Sequence, residues 1–418
     1  MKVILTLGYG RLHLVQSAQR LANLGVKFRL ILGWIPKNAD GLLVRLASKI
    51  QGYNLAIGLR KRMVAHHPNI ETRQMFFLEV LDALVRRVLR AFHCSAMWWS
   101  VIGWKLWGFC SRRFITREAQ VFHVRSGAGQ GGAIKKAKRL GLEVLVDHSI
   151  AHPEFMEKHL RSEYEKNGAV FDLGTSSRFW RMIDKDCREA DLVMVNSFFV
   201  RDTFLEAGYA PEKIRVVYQG TREDFFSLRA AEPYFDGKRP LRILFTGGFG
   251  FRKGGEYILS ALKELHDRGI SFTMDVVGSY AGSESIREKY AAGTLPITFH
   301  GPVPQDDLKQ FLRSADVYLF PSLAEGCASS GLEAMAAGLC TVATHESGLP
   351  ITDDETGYLV PSKDAAAIVS RIEWLIVHPE AIERTGRAAA KLIAADYTWD
   401  KYAENVKKIY EEMVGDEV

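Results

Sequence analysis

The sequence predicts an α/β protein built from two doubly wound domains that face each other across a cleft. Three observations predict it. The chain has 418 residues, more than one hydrophobic core normally serves. Short apolar runs alternate with helical periodicity, the pattern of βαβ units and a parallel sheet, and the alternation occurs as two separate series. Between them, near Gly220, the polar and aromatic-dotted stretch "GTREDFFSLRAAEPYFDGKRP" carries no long apolar run. The expected division is 1–225, 226–395 and a terminal helix over 396–418.

The first series opens with "KVILTL", the turn "GYGR", the helix "LHLVQSAQRLANLG" and the strand "VKFRLILGW". The apolar run is too short for a signal peptide and reads as a first strand. The turn is not a dinucleotide fingerprint: His13 stands where the third glycine belongs, and no acid ends the second strand. Residues 40–115 are expected to be mostly helical, with "EVLDALVRRVLRAF" placing Val80, Leu81, Leu84, Val88 and Leu89 on one face and arginines on the other. Strands resume at "AQVFHVRSG", followed by the turn "AGQGG" and the basic helix "AIKKAKRLG". "LEVLVDHS", "ADLVMVNS" and "KIRVVYQG" complete the series.

The second series runs "LRILFTGG", the helix "GGEYILSALKELHDRG", "SFTMDVVG", "ITFHG", the helix "DDLKQFLRSA", "DVYLFPS", "CTVATH" and "GYLV". The last helix, "TWDKYAENVKKIYEEMV", follows this domain without having to belong to it.

Composition is that of a globular chain, with 47% hydrophobic and 25% charged residues, which sets disorder aside except at the tail "GDEV". The five cysteines are scattered with no CxxC or metal spacing, so a reduced, cytoplasmic compartment is expected. No run of 18 or more apolar residues exists, so no membrane-spanning helix is expected.

The net charge of +6 is local in origin. Residues 60–113 hold ten Lys and Arg against three acids. Inside that segment "AMWWSVIGWKLWGF" carries four tryptophans and Lys105. Two readings stand: a core helix of the first domain, or a helix lying at a membrane surface, where tryptophan and basic residues concentrate. Nothing else in the chain supports nucleic-acid binding.

In open parallel sheets, ligands bind beyond the carboxyl ends of strands. Those ends carry Gly8–Arg11, Arg125–Gly132, Asp147–His152, Asn196–Ser197, Gln219–Gly220, Gly247–Lys253, Gly278, His300–Val303, Ser322–Glu325 and His345–Gly348. Such residues suit an anionic, hydroxyl-rich ligand. "FTGGFGFRKGG" ends a strand and opens a helix without the Walker pattern, so Arg252 and Lys253 are either phosphate ligands at a helix amino end or a solvated basic helix start. "EGCASSGLEAM" also joins a loop to a helix. Glu325 lies on the loop and Glu333 in an early turn, where a carboxylate accepts two hydroxyl donors, as from a ribose diol, or merely favours the helix dipole. His148 and His152 are spaced for a metal on a helix, but Pro153 breaks that helix and no third ligand adjoins. His148 is then a polar active-site residue or a plain loop histidine.

Several motifs line up together. "LFTGGFGFRKG", "FHGPVPQDDLKQFLRSADVYLFPS", "EGCASSGLEAMAAGL" and "ETGYLVPSKD" resemble the second domain of retaining nucleotide-sugar-dependent glycosyltransferases of the GT-B fold, family four (glycosyl transferases group 1). "ADLVMVNSFFVRDTFLEAGYAPEKIRVVYQG" resembles the end of that family's first domain. The resemblance is strong over about 190–395 and weaker before it. It implies a GT-B architecture of two Rossmann-like domains, the first binding the acceptor and the second the donor, with the terminal helix crossing back to the first.

It also implies residue roles. Glu333 matches the second glutamate of the family's E-x7-E motif, which binds the donor ribose, and Glu325 the first, near the transferred sugar. Backbone around Ser329, Ser330 and Gly331 meets sugar hydroxyls or diphosphate, and Lys253 the diphosphate. Gly248 stands where the family has an arginine, with Arg252 as its replacement. His148 matches a histidine that points at the donor sugar, and Gly8 and Gly10 the glycine loop beside the diphosphate. Val303 and Gly278 complete the donor pocket. Cys327-Ala328 replaces the motif's aromatic–glycine pair.

The implied reaction moves a hexose-type sugar from a nucleotide-diphosphate sugar, UDP-sugar first and GDP- or ADP-sugar as alternatives, to an acceptor hydroxyl on a carbohydrate or lipid-linked acceptor. The departing phosphate takes the acceptor proton on the same face, so no carboxylate base, metal or other cofactor is implied. The expected setting is polysaccharide or glycolipid assembly in the cytoplasm, peripheral at the membrane through residues 60–113. An epimerase or phosphorylase on the same fold, or a non-catalytic nucleotide-sugar binder, are the competing readings.

Overall fold

The computed structural model describes residues 1–9, 13–35, 41, 44–45, 66–92, 94, 96–229 and 233–415. Two parallel sheets organise them. The first has seven strands, β1 (Lys2–Thr6), β2 (Lys27–Leu32), β3 (Ile70–Gln74), β4 (Val121–Arg125), β5 (Glu143–His148), β6 (Leu192–Val195) and β7 (Ile214–Val216), in the order β3-β2-β1-β4-β5-β6-β7. The second has six, β8 (Leu241–Thr246), β9 (Phe272–Val277), β10 (Ile297–Gly301), β11 (Val317–Phe320), β12 (Cys340–Ala343) and β13 (Tyr358–Leu359), in the order β10-β9-β8-β11-β12-β13. The near-continuous apolar runs of β1, β4, β8 and β11 are those of strands covered by helices on both faces. In each sheet the strand order reverses beside its first strand, between β1 and β4 and between β8 and β11. Those reversals are where a doubly wound sheet opens a crevice at its carboxyl edge.

One strand departs from expectation. Residues 40–115 read as mostly helical, yet Ile70–Gln74 pairs in parallel with β2 as the edge strand β3. Thr72, Arg73 and Gln74 are exposed, so the strand lacks the alternating apolar face that marks a strand in sequence. The face expected for Phe76–Ala91 is also corrected. Val80, Leu84 and Val88 point to solvent, while Leu78 is buried and Asp82 accepts a hydrogen bond from Trp99 Nε1 at 2.9 Å. That bond and the Asp82–Arg86 ion pair (2.9 Å) turn the helix by its polar residues rather than by its apolar stripe. Most of 36–65, with Arg60, Lys61 and Arg62, lies outside the described residues.

The tryptophan-rich helix, Met97–Ser111, packs into the first domain. Trp99, Trp104 and Trp107 are buried, and Trp107 Nε1 donates to Thr6 Oγ1 at 2.9 Å. Trp98, Ile102 and Phe109 on its opposite face stay exposed. The core reading therefore describes the buried face. Among the described residues no helix is long and apolar enough to cross a membrane.

The last helix, Trp399–Val414, packs against the first sheet beside His13–Asn23 and shares a core with Val3, Leu5, Leu30 and Met194. Tyr410 Oη meets His123 Nδ1 at 2.6 Å inside that core, and Arg20 pairs with Asp400 at 2.8 Å. The return crossing lies beside the outward one. Thr221 N–H donates to Tyr397 O at 2.7 Å, and a side chain at Gly220 would overlap the backbone of Trp399.

A second set of contacts ties the domains through carboxylates. Tyr257 Oη donates to Glu163 at 2.7 Å, Lys166 pairs with Glu163 at 2.7 Å, and Lys363 approaches it at 3.4 Å. Burial works to raise the Glu163 pKa, but the bonds from Lys166 and Tyr257 outweigh it and hold the carboxyl below its ordinary value.

Replacing Tyr410 by Phe removes a buried hydrogen bond while keeping the ring. The first domain is expected to lose about 1–3 kcal/mol, read as a lower urea midpoint at unchanged slope. An unchanged midpoint would show that the crossing helix does not depend on this bond.

Candidate functional site

The site grows from the carboxyl edge of the second sheet. Gly247 and Gly278 follow β8 and β9 with positive φ, and a Cβ at Gly278 would overlap the Gly247 carbonyl. Gly247 N–H bonds to Val277 O, and Gly278 N–H to Gly301 O, both at 2.9 Å. The turns after β8, β9 and β10 are thus laced edge to edge, and only glycine allows the approach. Val303, just beyond, is half-buried.

From the β8 turn, Arg252 and Lys253 reach the loop after β11. Arg252 lies 2.7 Å from the Glu325 carboxylate and donates to Ala324 O at 2.7 Å; Lys253 Nζ lies 3.4 Å from the same carboxylate. Lys253 also sits over the Phe320 ring, 5.0 Å from its centroid. All three are partly accessible, so the cluster opens to the cleft without being fully solvated. Glu325 is already neutralised by two cations, a poor arrangement for a free general base. Gly248, two residues past β8, is exposed, and a side chain there would meet nothing within 4 Å.

The helix Ser329–Ala337 starts directly beyond. Among its early amides, Gly331 N–H bonds to Ala328 O at 2.8 Å and Leu332 N–H to the same carbonyl at 3.0 Å, while those of Ser329 and Ser330, which precede any i−4 partner, lie at the positive end of the helix dipole. Ser330 Oγ accepts from Tyr318 Oη at 2.9 Å and donates to Thr246 O at 3.2 Å, which fixes the helix start to the end of β8. Ser329 is exposed, and its Oγ bonds to Gln219 of the connector at 3.3 Å. Gly331 is pressed on Leu349, where a Cβ would overlap. Cys327 and Ala328 belong to the core of the second domain.

Glu333, one turn in, is half-buried and makes no hydrogen bond among the described residues. Burial pushes its carboxyl up to about 7, against the pull of Arg222 and with a push from Asp224. Those two, ion-paired to each other (Nε–Oδ1 3.0 Å), come from the connector between the domains.

The first domain supplies the opposite wall. Gly8 follows β1 with φ of +73°, and the Trp104 ring covers it so closely that a Cβ would overlap the ring; Gly10 lies outside the described residues. His148 is buried at the end of β5, with Nδ1 3.0 Å from Ser126 Oγ. Burial, then His152, brings its pKa down to about 4, so the ring is neutral at neutral pH. Its Nε2 has no hydrogen-bond partner among the described residues. His152 is used otherwise: Nδ1 caps the helix Pro153–Glu165 and Nε2 meets Asp184 at 3.0 Å.

The two walls touch. Ala151 N–H donates to Glu325 O at 3.0 Å, and Ser197 Oγ donates to Gly326 O at 2.6 Å. His148 and Glu325 therefore lie on adjoining loops.

Sequence reasoning missed Asp186. It is fully buried and accepts from Gly127 N–H at 2.6 Å, Gly129 N–H at 2.9 Å and the Gln130 side chain at 2.5 Å. Burial pushes its carboxyl up to about 7 despite those donors. It fixes the glycine-rich loop after β4. Its only signal was an acid on the inward face of the helix Arg178–Glu189, which needs the fold to be read.

Comparisons with known proteins agree with the two-domain architecture. Residues 240–378 match the family model of glycosyl transferases group 1. The chain is 32% identical over 244 residues to a D-inositol 3-phosphate glycosyltransferase of Corynebacterium jeikeium, covering 54% of this chain and 58% of that protein. It is 29% identical over 190 residues to the amylovoran biosynthesis glycosyltransferase AmsK of Erwinia amylovora, covering 43% and 46%. The chain thus spans about half the length of the relatives it matches. Among solved structures, sucrose-phosphate synthase of Thermosynechococcus elongatus superposes with a TM-score of 0.66 at 18% identity, covering 99% of both chains. Anabaena HepE in complex with UDP-glucose superposes with a TM-score of 0.59 at 15% identity, covering 99% of this chain and 100% of that one. The architecture is the two-domain GT-B fold.

Glu333 binds a proton more tightly in the folded chain than an ordinary glutamate does when unfolded. Its ionisation therefore costs stability as pH rises from the ordinary carboxylate range through about 7. Glu333→Gln is expected to melt higher than wild type at pH 8, with the gap closing toward pH 5. A gap independent of pH would mean that Glu333 is solvated.

Proposed function

We propose that this chain, a GT-B protein whose residues 240–378 belong to the glycosyl transferases group 1, is a retaining glycosyltransferase. It moves a hexose from a nucleoside-diphosphate sugar to an acceptor hydroxyl in cell-envelope polysaccharide or glycolipid synthesis. The observation that carries this reading is the convergence of Arg252, Lys253 and Glu325 at the β8–β11 reversal, beside the amino end of Ser329–Ala337. Two cations and a helix terminus make a place for a leaving diphosphate.

Each residue then has a part. Lys253 and Arg252 stabilise the charge that develops on the leaving group as the bond to the anomeric carbon breaks. Glu325, held between them, orients a sugar hydroxyl. The unpaired Glu333 carboxylate accepts from the ribose diol. Gly8, Gly248, Gly278, Ser329, Ser330, Gly331 and Val303 line the donor with backbone or small side chains. His148, neutral and with Nε2 unpaired, receives a hydroxyl from the donor sugar. The departing phosphate takes the acceptor proton on the face it leaves, which retains the anomeric configuration without a carboxylate base. HepE is described in complex with UDP-glucose, which supports a UDP-sugar as donor.

Lys253→Ala is expected to lower kcat for donor turnover by about 10²–10³, with the product's anomeric configuration, read by NMR, unchanged from the donor. Inversion, or full activity in the variant, would overturn the mechanism.

Glu333 gives a pH signature. The carboxylate accepts two hydroxyls only when ionised, so wild-type affinity for a nucleotide sugar rises as pH passes about 7. Glu333→Gln should bind about ten-fold more weakly at pH 8 and nearly equally at pH 5.5, as titration calorimetry would read. Equal affinity at both pH values would remove Glu333 from the donor site.

A further inference from the structure

The first domain holds a second concave site on the far side of the tryptophan helix. It is a groove of about 700 Å³ between the helices Met97–Ser111 and Arg178–Glu189, closed at one end by Gln130. Its lining divides by chemistry. Trp98, Val101, Ile102 and Met182 form an apolar floor, and Lys105, Arg178, Arg181 and Lys185 form the rim.

The division follows from helical spacing. Trp98, Ile102, Lys105 and Phe109 recur along one exposed face, and Trp98 and Phe109 keep more than half of their surface in solvent (53% and 58%). Arg178, Arg181 and Lys185 recur every three or four residues on the facing helix. The acids of that helix do not offset them. Asp184 turns inward to His152 and Tyr209, and Asp186 to the glycine loop. Lys105, Arg178 and Arg181 have no acidic partner among the described residues, and Lys185 only approaches Glu189 at 3.7 Å.

We infer that this groove binds an anionic amphiphile, an apolar chain carrying a phosphate or diphosphate head, such as the aglycone of a lipid-phosphate-linked saccharide acceptor. The apolar floor takes the chain, and the four cations take the head as phosphate ligands. The same helix that floors the groove covers Gly8 with Trp104 on its other face, so one helix separates the groove from the cleft. A saccharide joined to the bound head has only that helix to round. The identification of the amphiphile as an acceptor rests on the transferase reading; the binding site does not.

The test uses farnesyl diphosphate as probe, with inorganic diphosphate and farnesol as controls, followed by calorimetry on the full chain. Wild type is expected to bind the probe at least about ten-fold more tightly than either control. Arg178→Gln/Arg181→Gln/Lys185→Gln is expected to lose about ten-fold or more of that affinity, and Ile102→Asp likewise. UDP binding, measured on the same samples, should stay unchanged and reports that the variants are folded. Equal binding of probe and inorganic diphosphate would leave an anion site only. Loss of adsorption to phosphatidylglycerol vesicles in the triple variant, without any probe binding by wild type, would reassign the face to a membrane surface. Either result, or a triple variant as tight as wild type, overturns the proposal. A chain that binds the probe but turns over no nucleotide sugar would overturn the transferase reading and leave the groove standing.

Discussion

Two hydrogen bonds set the geometry on which the rest of the cleft depends. Ala151 N–H reaches Glu325 O, and Ser197 Oγ reaches the next carbonyl, Gly326 O. They join the carboxyl ends of β5 and β6 in one domain to the loop after β11 in the other. A side chain at Gly326 would overlap Ser149 O, so the two loops could not meet there with any other residue. Because the backbone of Glu325 is held from the first domain, its carboxylate can be held from the second, by Arg252 and Lys253. Every charged member of the cluster comes from the second domain, and the first domain touches it through the two carbonyls. Within the second domain Glu325 N–H also donates to Glu346 O at 2.9 Å and Leu323 N–H to Arg252 O at 2.8 Å, so the spacing of the charges is fixed there and the first domain adds one further bond to Glu325.

The electrostatics divide the two glutamates that the sequence spaces eight apart. Glu325 faces two cations; Glu333 faces a cation already paired with Asp224, so burial dominates and its proton is held to about 7. A pair of carboxylates working as acid and base would need a different division, with one acid and one unencumbered base flanking a single bond. Here one carboxylate is compensated by two cations and the other makes no hydrogen bond among the described residues.

How far the sequence could be read follows from where each signal lives. The second domain was legible because its strands are short and mostly apolar and Gly247 and Gly278 sit at their ends; why Gly278 and Gly331 must be glycine is long-range, set by Gly247 and Leu349. The terminal helix was legible as a helix, but its place against the first sheet is a long-range fact carried by Tyr410 and His123. β3 was missed because an edge strand with exposed Thr72, Arg73 and Gln74 has no apolar period. The orientation of Phe76–Ala91 was misjudged because Asp82, Trp99 and Arg86 decide it, against the apolar stripe. Asp186 was invisible for the same reason: a lone acid in an amphipathic helix looks solvated until the loop it holds is in place.

The tryptophan helix shows why a single reading of a composition fails. Its composition is compatible with a core helix or a surface helix, and the structure gives it one buried and one exposed face. Trp99, Trp104 and Trp107 are buried, with Trp104 packed on Gly8 and Trp107 bonded to β1, so this face shapes the cleft floor. Trp98, Ile102 and Phe109 face outward, and so do the nearby Phe77 and Leu84, which are 73% and 55% exposed. Leaving that much apolar surface in water costs about 25 cal/mol per Å², and the fold does not use it internally. Lys105, Arg178, Arg181 and Lys185 line the groove with the outward Trp98 and Ile102, while on the inward side a single guanidinium, that of Arg125, lies over the Trp104 ring, 5.8 Å from its centroid. The inward face is fixed by Thr6 of the first sheet and by Gly8 just beyond it, and the outward face leaves Trp98, Ile102 and Phe109 to solvent.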